Sequence, residues 1–343
     1  MSDSSVSRGG GRSRTTTMQD VADRAGVSKA LVSMIFRGVQ GPSAATRERV
    51  MDVAAELDYR PNRSAALLAL RRTHLLGVMT NIRNTFHAEM VEHLVEHASE
   101  RGYEVVLGAL TPTHGEEAVM NTLLDFRCEA VVLLGPEVES ELLSLWNARV
   151  PIVSVGRRLA RPDVDVVRAG DLRGMSSVVD HLVGLGHKRI THVTGGSNPI
   201  AVDRRSGYVR AMHRHGLDAH VDIIEGDFTE ASGVAAAATV MRRATRPTAV
   251  VASNDRSAVG LLDALQRSGI AVPEQMSVTG YDDSVLAQLA HVDLTSVSQE
   301  AREQAVSAVD AAVDRLDNGR TEPRSVVLRP RLVVRSTSGP VPS

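Results

Sequence analysis

The sequence predicts a small three-helix domain at the N-terminus, joined to a larger body of two α/β subdomains built on parallel sheets. Three capped helical segments fall within residues 17–60. From residue 74, short apolar runs alternate with amphipathic helices in two successive series. Residues 1–72 contain twelve Arg or Lys against seven Asp or Glu, a net of +5, whereas the remainder has a net of −7. A basic head on an acidic body is typical of a nucleic-acid-binding domain joined to a second functional unit.

The composition excludes several classes of protein. Hydrophobic residues make up 43% and charged residues 23% of the chain, as in ordinary globular proteins. No apolar run approaches the roughly 18 residues of a membrane helix, and Cys128, the only cysteine, cannot form an intrachain disulfide. Residues 1–17 lack the apolar core of a signal peptide, so we expect a cytoplasmic protein. Four Phe, four Tyr and one Trp are too few for a base-stacking platform.

Capping residues delimit the three N-terminal helices. Thr17 and Asp20 have the spacing of a capping box that begins the first helix, and Gly26 ends it because glycine adopts the left-handed conformation at little cost. Ser28 begins the second helix and Ser43 begins the third. Two helices joined by a tight glycine turn, followed by a third, are typical of a helix-turn-helix domain.

Composition also marks the tails and the linker. Residues 1–16 are small, polar and basic, and predict a disordered tail. Residues 61–73 begin with Pro-Asn-Arg and end with Arg-Arg-Thr, which indicates a linker between head and body. Residues 336–343 predict a second short tail. We therefore assign the helix-turn-helix domain to residues 17–60 and the body to residues 74–335.

The body divides into two subdomains because the β-α alternation restarts after Asp171. We expect the first to comprise about residues 74–169 and 298–320, and the second about residues 170–297 and 321–335. The runs that predict buried strands are 75–79, 105–107, 130–134, 152–155, 190–194, 223–224, 249–252 and 277–280. The predicted helices are 88–101, 116–126, one ending at 184, 205–215, 231–243 and 257–268. Such sheets bind ligands beyond the carboxyl ends of their strands, which places a candidate site in a cleft between the subdomains.

The sequence lacks common enzyme signatures. Gly195-Gly196 follows a predicted strand but does not continue as G-x-G-x-x-G, and neither a P-loop nor a G-x-S-x-G elbow occurs. His93 and His97 share a helix face without the H-E-x-x-H pattern of a zinc site, which favours a solvated face. We therefore predict no catalytic, metal or cofactor site.

Several segments together carry a family resemblance. Residues 17–33 read T-M-Q-D-V-A-D-R-A-G-V-S-K-A-L-V-S, and residues 43–65 include S-A-A-T-R-E-R-V and L-D-Y-R-P-N-R-S-A. Further motifs follow in order: H-L-V-G-L-G-H-K-R-I at 181–190, R-R-S-G-Y at 204–208, E-G-D-F at 225–228, S-N-D-R-S-A-V-G at 253–260 and S-V-T-G-Y-D-D at 277–283. Over nearly its whole length the chain resembles the LacI/GalR (lactose-repressor/galactose-repressor) family of bacterial transcription regulators.

The resemblance implies an architecture and a set of partners. The helix-turn-helix domain is followed by a hinge helix and by a periplasmic-binding-protein-like body of two α/β subdomains. We expect a cytoplasmic homodimer, with a tetramer left open, that binds a pseudo-palindromic double-stranded operator and is nucleoid-associated while bound. The expected function is transcriptional regulation, most often repression, controlled by a sugar or sugar derivative in the cleft.

By this resemblance the second helix reads the operator in the major groove. Lys29 can donate to guanine and the Ala30 methyl can meet a thymine methyl, and with Met34 they hold the base-reading positions. The family often has Arg in place of Met34 and Asn in place of Arg37, so the usual operator sequence is not expected. The alternative is that Lys29 and Arg37 are merely solvated. The predicted DNA-binding residues are Thr17, Ser28, Lys29, Ala30, Ser33, Met34, Arg37, Asn62, Arg63, Ala65 and Leu68.

The resemblance also assigns the linker. Residues 61–68 match the family's hinge helix, which is too short to be stable in isolation. Leu68 holds the position that wedges between base pairs in the minor groove and kinks the duplex; the alternative is that Leu68 packs on the body. Thr17, Ser28 and Asn62 are expected to contact phosphates.

The candidate effector residues are Phe86, Gly156, Arg204, Phe228, Asn254 and Asp282. Arg204 precedes Gly207 by three residues, as does the family's ligand-binding arginine, and a buried guanidinium can clamp carboxylates or paired hydroxyls. Asn254 and Asp282 follow predicted strands, and the Phe rings offer flat apolar faces. The alternatives are a turn residue at Asn254, a helix cap at Asp282 and a core residue at Phe228. Sugar-binding relatives often carry Asp where this chain has Gly156-Arg157-Arg158, and the lost acceptor argues against a simple hexose. Arg157 instead is a candidate to meet an anionic group, which leaves a phosphosugar or an acid open.

The sequence leaves three questions open. It names neither the effector nor the operator, and it does not decide whether effector releases DNA or promotes binding.

A transport component or an enzyme built on the same body is a second hypothesis for the function, against which the basic helix-turn-helix head argues. A nucleoid-type DNA binder that responds to no effector is a third.

Overall fold

The computed structural model describes residues 16–36, 38–59, 72–159 and 163–342. The chain divides into two compact units, residues 1–72 and 73–343. The predictions for the tail up to residue 15, for Arg37 and for the hinge lie outside the described residues. The hinge residues concerned are Asn62, Arg63, Ala65 and Leu68.

The described residues of the first unit form three short helices around a small apolar core. They are α1 Met18–Ala25, α2 Lys29–Phe36 and α3 Ala44–Glu56. Val21, Val32 and Val50, one from each helix, are fully buried in a shared cluster. Removing this apolar surface from water holds the three amphipathic helices together. The predicted helix-turn-helix arrangement is confirmed.

The predicted helix caps are also confirmed. The Thr17 hydroxyl accepts from the Asp20 N–H, while the Asp20 carboxylate accepts from the Thr17 N–H at 2.8 Å. Gly26 ends α1 with a φ of 66°, in the left-handed region that glycine adopts most readily. The hydroxyls of Ser28 and Ser43 each accept from a backbone N–H three residues on, at 3.2 Å.

The second unit is an alternating α/β structure with the following elements in chain order. The first half contains β1 Leu75–Asn81, α4 Thr85–Glu100, β2 Glu104–Leu110, α5 Glu116–Asp125, β3 Ala130–Leu134, α6 Ser140–Asn147, β4 Ile152–Val155, β5 Asp165–Ala169 and α7 Asp171–Gly184. The second half contains β6 Ile190–Val193, α8 Pro199–Arg214, a 3-10 turn Asp218–His220, β7 Asp222–Ile224, α9 Glu230–Met241, β8 Ala249–Ala252, α10 Asp255–Arg267, β9 Ser277–Thr279, α11 Val285–Gln288, β10 Ser296–Ser298, α12 Ala301–Asp317, β11 Ser325–Leu328 and β12 Arg331–Val333.

The first subdomain is built on a six-stranded parallel sheet in the order β11-β5-β4-β3-β1-β2. Helices α4 and α12 pack together on one face of this sheet. Leu94 of α4, Val132 of β3 and Val309 of α12 lie in the same core cluster with at most 1% of their surface exposed. Burial on both faces explains why β3 is a continuous apolar run and why β4 is apolar except for Ser154.

The second subdomain is built on a four-stranded parallel sheet in the order β7-β6-β8-β9. Strands β10 and β12 form a separate antiparallel pair. Val193 of β6, Val250 of β8 and Leu261 of α10 are fully buried in one of the cores of this subdomain. The carboxyl ends of its parallel strands therefore lead into loops at a common edge, as predicted.

Three predicted boundaries are wrong. The prediction assigned residues 321–335 to the second subdomain, but β11 pairs in parallel with β5, so the chain crosses between subdomains after β11. Residues 336–343 are not a free tail in the part that the structure describes, because Val278 donates to the Thr337 carbonyl at 2.8 Å and Val341 donates to the Leu185 carbonyl at 3.0 Å. Thr16 belongs to the folded head, since its hydroxyl donates to a carbonyl at the end of α3 at 3.1 Å.

Among the described residues, no helix has the length and apolar character needed to cross a membrane.

Candidate functional sites

A cleft of about 690 Å³ opens between the two subdomains, and its lining draws on both. Strand ends from the two sheets meet there, as the topology of parallel sheets predicts. All six candidate effector residues line this cleft: Phe86, Gly156, Arg204, Phe228, Asn254 and Asp282. The six residues that the sequence analysis selected are far apart along the chain but close in space.

Arg204 on α8 is the central cation of the cleft and is 3% exposed. Its Nε donates to Asp171 Oδ1 at 2.9 Å, and its Nη1 donates to the Ser253 carbonyl at 2.5 Å and to Asp282 Oδ1 at 3.4 Å. The guanidinium carbon lies 3.8 Å from the centre of the Tyr281 ring, within cation–π distance. These contacts fix the guanidinium in one orientation and place two carboxylates beside its charge.

A glycine lets α8 approach the start of α7 closely. A Cβ at Gly207 would lie 2.9 Å from the Leu172 carbonyl oxygen, nearer than real Cβ atoms approach. Arg204, three residues earlier on the same helix face, is thereby brought to Asp171 at the first position of α7. The spacing of Arg204 and Gly207 is therefore a packing requirement of this site.

Asp282 follows β9 and is 7% exposed, with a φ of 116°. Gln299 Nε2 donates to its Oδ1 at 2.6 Å. Burial raises the pKa of Asp282 to about 7, while the Arg204 charge opposes this rise. The pKa of the neighbouring Asp255 is also raised by burial and by Asp282. A strained, non-glycine backbone at a cleft residue is typical of a functional position.

Asn254 and Phe228 form the next part of the wall. Asn254 Oδ1 accepts from the Ser257 N–H at 2.9 Å, and its Nδ2 donates to the Phe228 carbonyl at 3.1 Å. Asn254 is thus the cap of α10 as well as a cleft residue. The half-buried Phe228 ring covers Gly195, where a Cβ would lie 2.2 Å from the ring, and its centre lies 5.8 Å from the Arg204 guanidinium carbon.

The first subdomain contributes the opposite wall. Asn84 caps α4 by accepting from the N–H groups of Phe86 and His87, at 3.1 and 3.3 Å. Phe86 is 6% exposed and belongs to the core cluster, while part of it lines the cleft. Gly156 has a φ of 99°, and a Cβ there would lie 3.1 Å from Ile200 of the second subdomain. The absence of a side chain at this point lets the two walls come close.

The predicted role of Arg157 in meeting an anionic ligand is wrong. Arg157 is 6% exposed, and its Nη1 donates to the carbonyls of Pro136 and Val138 at 2.9 and 2.8 Å. It is not among the residues that line the cleft. Arg157 instead holds the loop after β3 in place.

Sequence reasoning missed several cleft or supporting residues. Asp171 and Tyr281 hold Arg204, Gln299 holds Asp282, and His87 and Gln304 line the wall of the first subdomain. Asp171 begins a helix directly after β5, but the sequence analysis did not predict this strand and therefore did not place Asp171 at a strand end. The others carry no local pattern that distinguishes them from ordinary polar residues on a helix or in a loop.

The candidate DNA-contacting side chains lie on α2 and next to it. Ser28, Lys29 and Ala30 are exposed at the start of the helix, and Ser33 and Met34 are half-buried one turn on. This is the end of the helix that reads bases in helix-turn-helix proteins. The exposed Thr17 has its hydroxyl engaged in the cap of α1.

The end of α2 is held by a residue that sequence reasoning missed. Arg47 of α3 donates from Nη1 to the Ile35 carbonyl at 3.2 Å and from Nη2 to the Val39 carbonyl at 3.1 Å. A cation at a helix C-terminus is favourable because the last carbonyls lack partners within the helix. Elsewhere, the described residues contain no cluster of three metal-ligating side chains.

Comparison with known proteins decides the family. The family model for bacterial regulatory proteins of the lacI family matches residues 17–62, and that for a periplasmic binding protein-like domain matches residues 179–338. The HTH-type transcriptional regulator CelR of Thermobifida fusca is 34% identical over 337 residues, which cover 95% of this chain and 99% of CelR. The chain belongs to the LacI family.

Solved structures of LacI-family proteins agree with this assignment. A LacI transcriptional regulator from a Rhodococcus species is 43% identical with a TM-score of 0.76, covering 78% of this chain and 100% of that one. A CelR–cellobiose complex is 31% identical with a TM-score of 0.69, covering 94% and 99%. The lac repressor dimer bound to operator and the anti-inducer ONPF is 28% identical with a TM-score of 0.81, covering 95% and 100%. The family and fold inferred from the sequence are confirmed, and the chain is a DNA-binding transcriptional regulator, not an enzyme.

Proposed function

We propose that this LacI-family protein is a cytoplasmic repressor that binds a pseudo-palindromic operator as a homodimer and releases it when a neutral sugar or sugar derivative fills the cleft. Two relatives support the two halves of this proposal. The lac repressor is a dimer on its operator, and the CelR complex contains cellobiose. While bound to operator the protein is nucleoid-associated.

The environment of Arg204 carries the choice of a neutral ligand. Its charge faces two carboxylates, Asp171 and Asp282, which lie at 2.9 and 3.4 Å. An anionic ligand would bring a third negative group into this buried cluster, and like charges at short range in a low dielectric repel strongly. Hydroxyl groups instead can accept from the guanidinium and donate to a carboxylate. Phe86 and Phe228 then offer apolar surface to the faces of a sugar ring.

The DNA-binding half rests on the exposed start of α2. Lys29 and Ala30 are positioned on the surface of the helix that enters the major groove in this class of domain. We assign base reading to Lys29, Ala30 and Met34, with Ser33 and Arg37 beside them. Asn62, Arg63, Ala65 and Leu68 belong to the proposed hinge helix, which forms on DNA when two copies pair.

Linkage connects the two halves. Effector stabilises one arrangement of the subdomains, and the operator stabilises another, so each ligand lowers the affinity for the other by the same factor. Effectors of this kind change affinity by about 5–150-fold. Released hinge residues then lose the helix that requires DNA and a paired copy.

The experiment that tests the proposal first has to identify the operator sequence and the effector. Operator sequences are selected from a randomised duplex pool with the full-length protein, and ligands are sought by thermal shift with cellobiose, lactose, D-ribose and D-glucose. Glucose 6-phosphate and gluconate serve as anionic controls. A neutral sugar that raises the melting temperature and weakens operator binding supports the proposal. Stabilisation by the anionic compounds alone would contradict the neutral-ligand assignment.

A further inference from the structure

The polar groups on the second-subdomain wall of the cleft are already paired within the protein. Arg204 donates to Asp171 and Ser253, Asp282 accepts from Gln299, and Asn254 is used at both ends of its amide. A ligand competes or shares with these groups. They form a preorganised surface that is satisfied before ligand arrives.

The first-subdomain wall differs in this respect. Of the described residues that line the cleft, His87 and Gln304 are the two with a buried side-chain atom that has no hydrogen-bond partner, Nδ1 of His87 and Oε1 of Gln304. Both residues lie in the first turn of their helices, α4 and α12, and these two helices pack on each other. The two unpaired atoms therefore come from neighbouring helix ends that face the same cleft.

The surroundings fix the Gln304 amide, and the His87 ring borders Gly135. The His87 ring lies against Gly135, where a Cβ would be 3.4 Å from both Cε1 and Nε2 of the ring. Gln304 is fully buried, and its Nε2 donates to the Gln299 carbonyl at 2.7 Å. The Gln304 amide is thereby fixed with Oε1 as the end left without a partner.

The chemistry of the two atoms is complementary to one hydroxyl group. Burial lowers the pKa of His87 to about 4, so the ring is neutral near pH 7 and has one N–H donor and one nitrogen acceptor. Gln304 Oε1 is an acceptor. A hydroxyl that lies between the two side chains would accept from a His87 N–H and donate to Gln304 Oε1. Leaving such groups buried and unpaired is costly, so a ligand that pairs them gains affinity.

We propose that His87 and Gln304 together bind one hydroxyl of the effector, as specificity-determining residues on the first subdomain. This inference rests on the proposed function of the cleft and deepens it. Because Arg204 and Asp282 belong to the second subdomain, the ligand then bridges both walls. Its binding consequently requires the two subdomains to be in one relative arrangement, and this is how a ligand biases a two-domain equilibrium.

The first test uses the unliganded protein. His87→Phe retains a flat ring and removes the unpaired nitrogen. Gln304→Met retains the length of the side chain but removes the unpaired oxygen together with the Nε2 group that donates to the Gln299 carbonyl. We expect His87→Phe to melt at or above the wild-type temperature, whereas Gln304→Met melts lower because the buried Gln299 carbonyl loses its partner. His93→Phe, on the same helix outside the cleft, is the matched control for the substitution. Melting of His87→Phe clearly below wild type, with the control unchanged, would mean that a trapped water or a structural contact satisfies the His87 nitrogen.

The second test uses calorimetry to measure how tightly the protein binds sugar. The sugar is chosen from cellobiose, lactose, D-ribose and D-glucose as the one whose affinity falls most in the Arg204→Lys variant. His87→Phe and Gln304→Met should each raise its dissociation constant about tenfold, the effect of one neutral hydrogen bond. The double variant should lose little more than either alone, because both residues act on one hydroxyl. His87→Asn places an amide near the Nδ1 position and should bind the sugar more tightly than His87→Phe does. His87→Gln places its amide near the Nε2 position instead and should not recover this affinity. Affinity within twofold of wild type in both single variants would overturn the assignment.

Failure of the proposed function gives a different result. If none of the four sugars binds the wild-type protein, the proposed ligand class is wrong. The melting temperature of unliganded His87→Phe still decides whether the His87 nitrogen is unpaired. If a sugar binds in an Arg204-dependent way but ignores both cleft variants, the function stands and this inference falls.

Discussion

Arg204 has a structural role in the protein, and a test of its role toward ligand has to separate the two. The side chain is 4% exposed and pairs with Asp171 at 2.9 Å and with Asp282 at 3.4 Å. Arg204→Ala leaves two buried carboxylates without a cation, and breaking a buried pair in this way costs about 3–5 kcal/mol. For a body of this size, about 2–4 °C per kcal/mol predicts a fall in melting temperature of roughly 6–20 °C. A simple alanine variant therefore confounds folding with binding.

A compensated variant removes this difficulty. Arg204→Met with Asp171→Asn deletes the guanidinium together with the carboxylate that it binds most closely. Asp282, whose pKa burial already raises to about 7, then becomes neutral by taking up a proton. We expect most of the lost stability to return.

The binding defect should persist in the compensated variant. The guanidinium is expected to supply two charged hydrogen bonds to ligand, each about 1.5–3 kcal/mol. A loss of about 4 kcal/mol raises the effector dissociation constant about a thousandfold. Calorimetry for the sugar and fluorescence anisotropy for the operator measure the two ends separately, and operator affinity should stay within a few fold of wild type. A compensated variant that still binds the sugar like wild type would show that Arg204 is purely structural.

Four further predictions follow from other parts of the molecule. Lys29→Ala should weaken specific operator binding by about 1–3 kcal/mol, with a smaller loss on random DNA, in an anisotropy titration. Leu68→Ala should likewise weaken operator more than random DNA, since the wedge is useful only where the duplex kinks. The raised pKa of Asp282 should make the free energy of unfolding fall as pH rises from about 4 to about 7, and Asp282→Asn should flatten this dependence in urea melts. Asp165→Asn should destabilise the protein by about 3–5 kcal/mol, because Arg315 and Arg320 share its fully buried carboxylate.

Each of these has an outcome that contradicts it. If Lys29→Ala lowers the affinity for operator and for random DNA equally, Lys29 does not read bases. The same result for Leu68→Ala would mean that Leu68 is not the wedge. A pH slope of the unfolding free energy that is the same in Asp282→Asn as in the wild type would mean that Asp282 is ionised throughout. For Asp165, hydrogen bonds from Arg320 and Arg315 outweigh burial and lower its pKa, so its contribution is lost only as the pH falls. A near-neutral Asp165→Asn would show that the arginines find other partners.

The strands at the centre of each sheet were predictable because they are buried on both faces. Ala130–Leu134, Ile152–Val155 and Ala249–Ala252 have the same bounds in the sequence prediction and in the structure. Strand β5 was not predicted, since it contains Asp165 and Arg168 and lacks a continuous apolar run. The buried Asp165 is tolerated only because arginines from α12 and from the segment after α12 donate hydrogen bonds to it. These contacts form in the tertiary structure and leave no local pattern in the sequence.

The effector cleft was predictable where a residue follows a strand and not where it lies within a helix or a loop. Asn254 and Asp282 were found because parallel strands place their following residues at one edge. His87 and Gln304 look like ordinary polar residues of amphipathic helices, and their burial depends on how α4 and α12 pack. Arg157 was misassigned for the converse reason. A long cationic side chain after a strand looks ligand-directed, but here backbone carbonyls satisfy it.

The most direct test of sugar-controlled DNA binding is one linkage measurement. Fluorescence anisotropy gives the dissociation constant for a selected operator with and without a saturating neutral sugar, and calorimetry gives the sugar constant with and without operator. We expect the operator affinity to fall by about 5–150-fold with sugar, and the sugar affinity to fall by the same factor with operator. An operator affinity that is unchanged at saturating sugar would contradict the account.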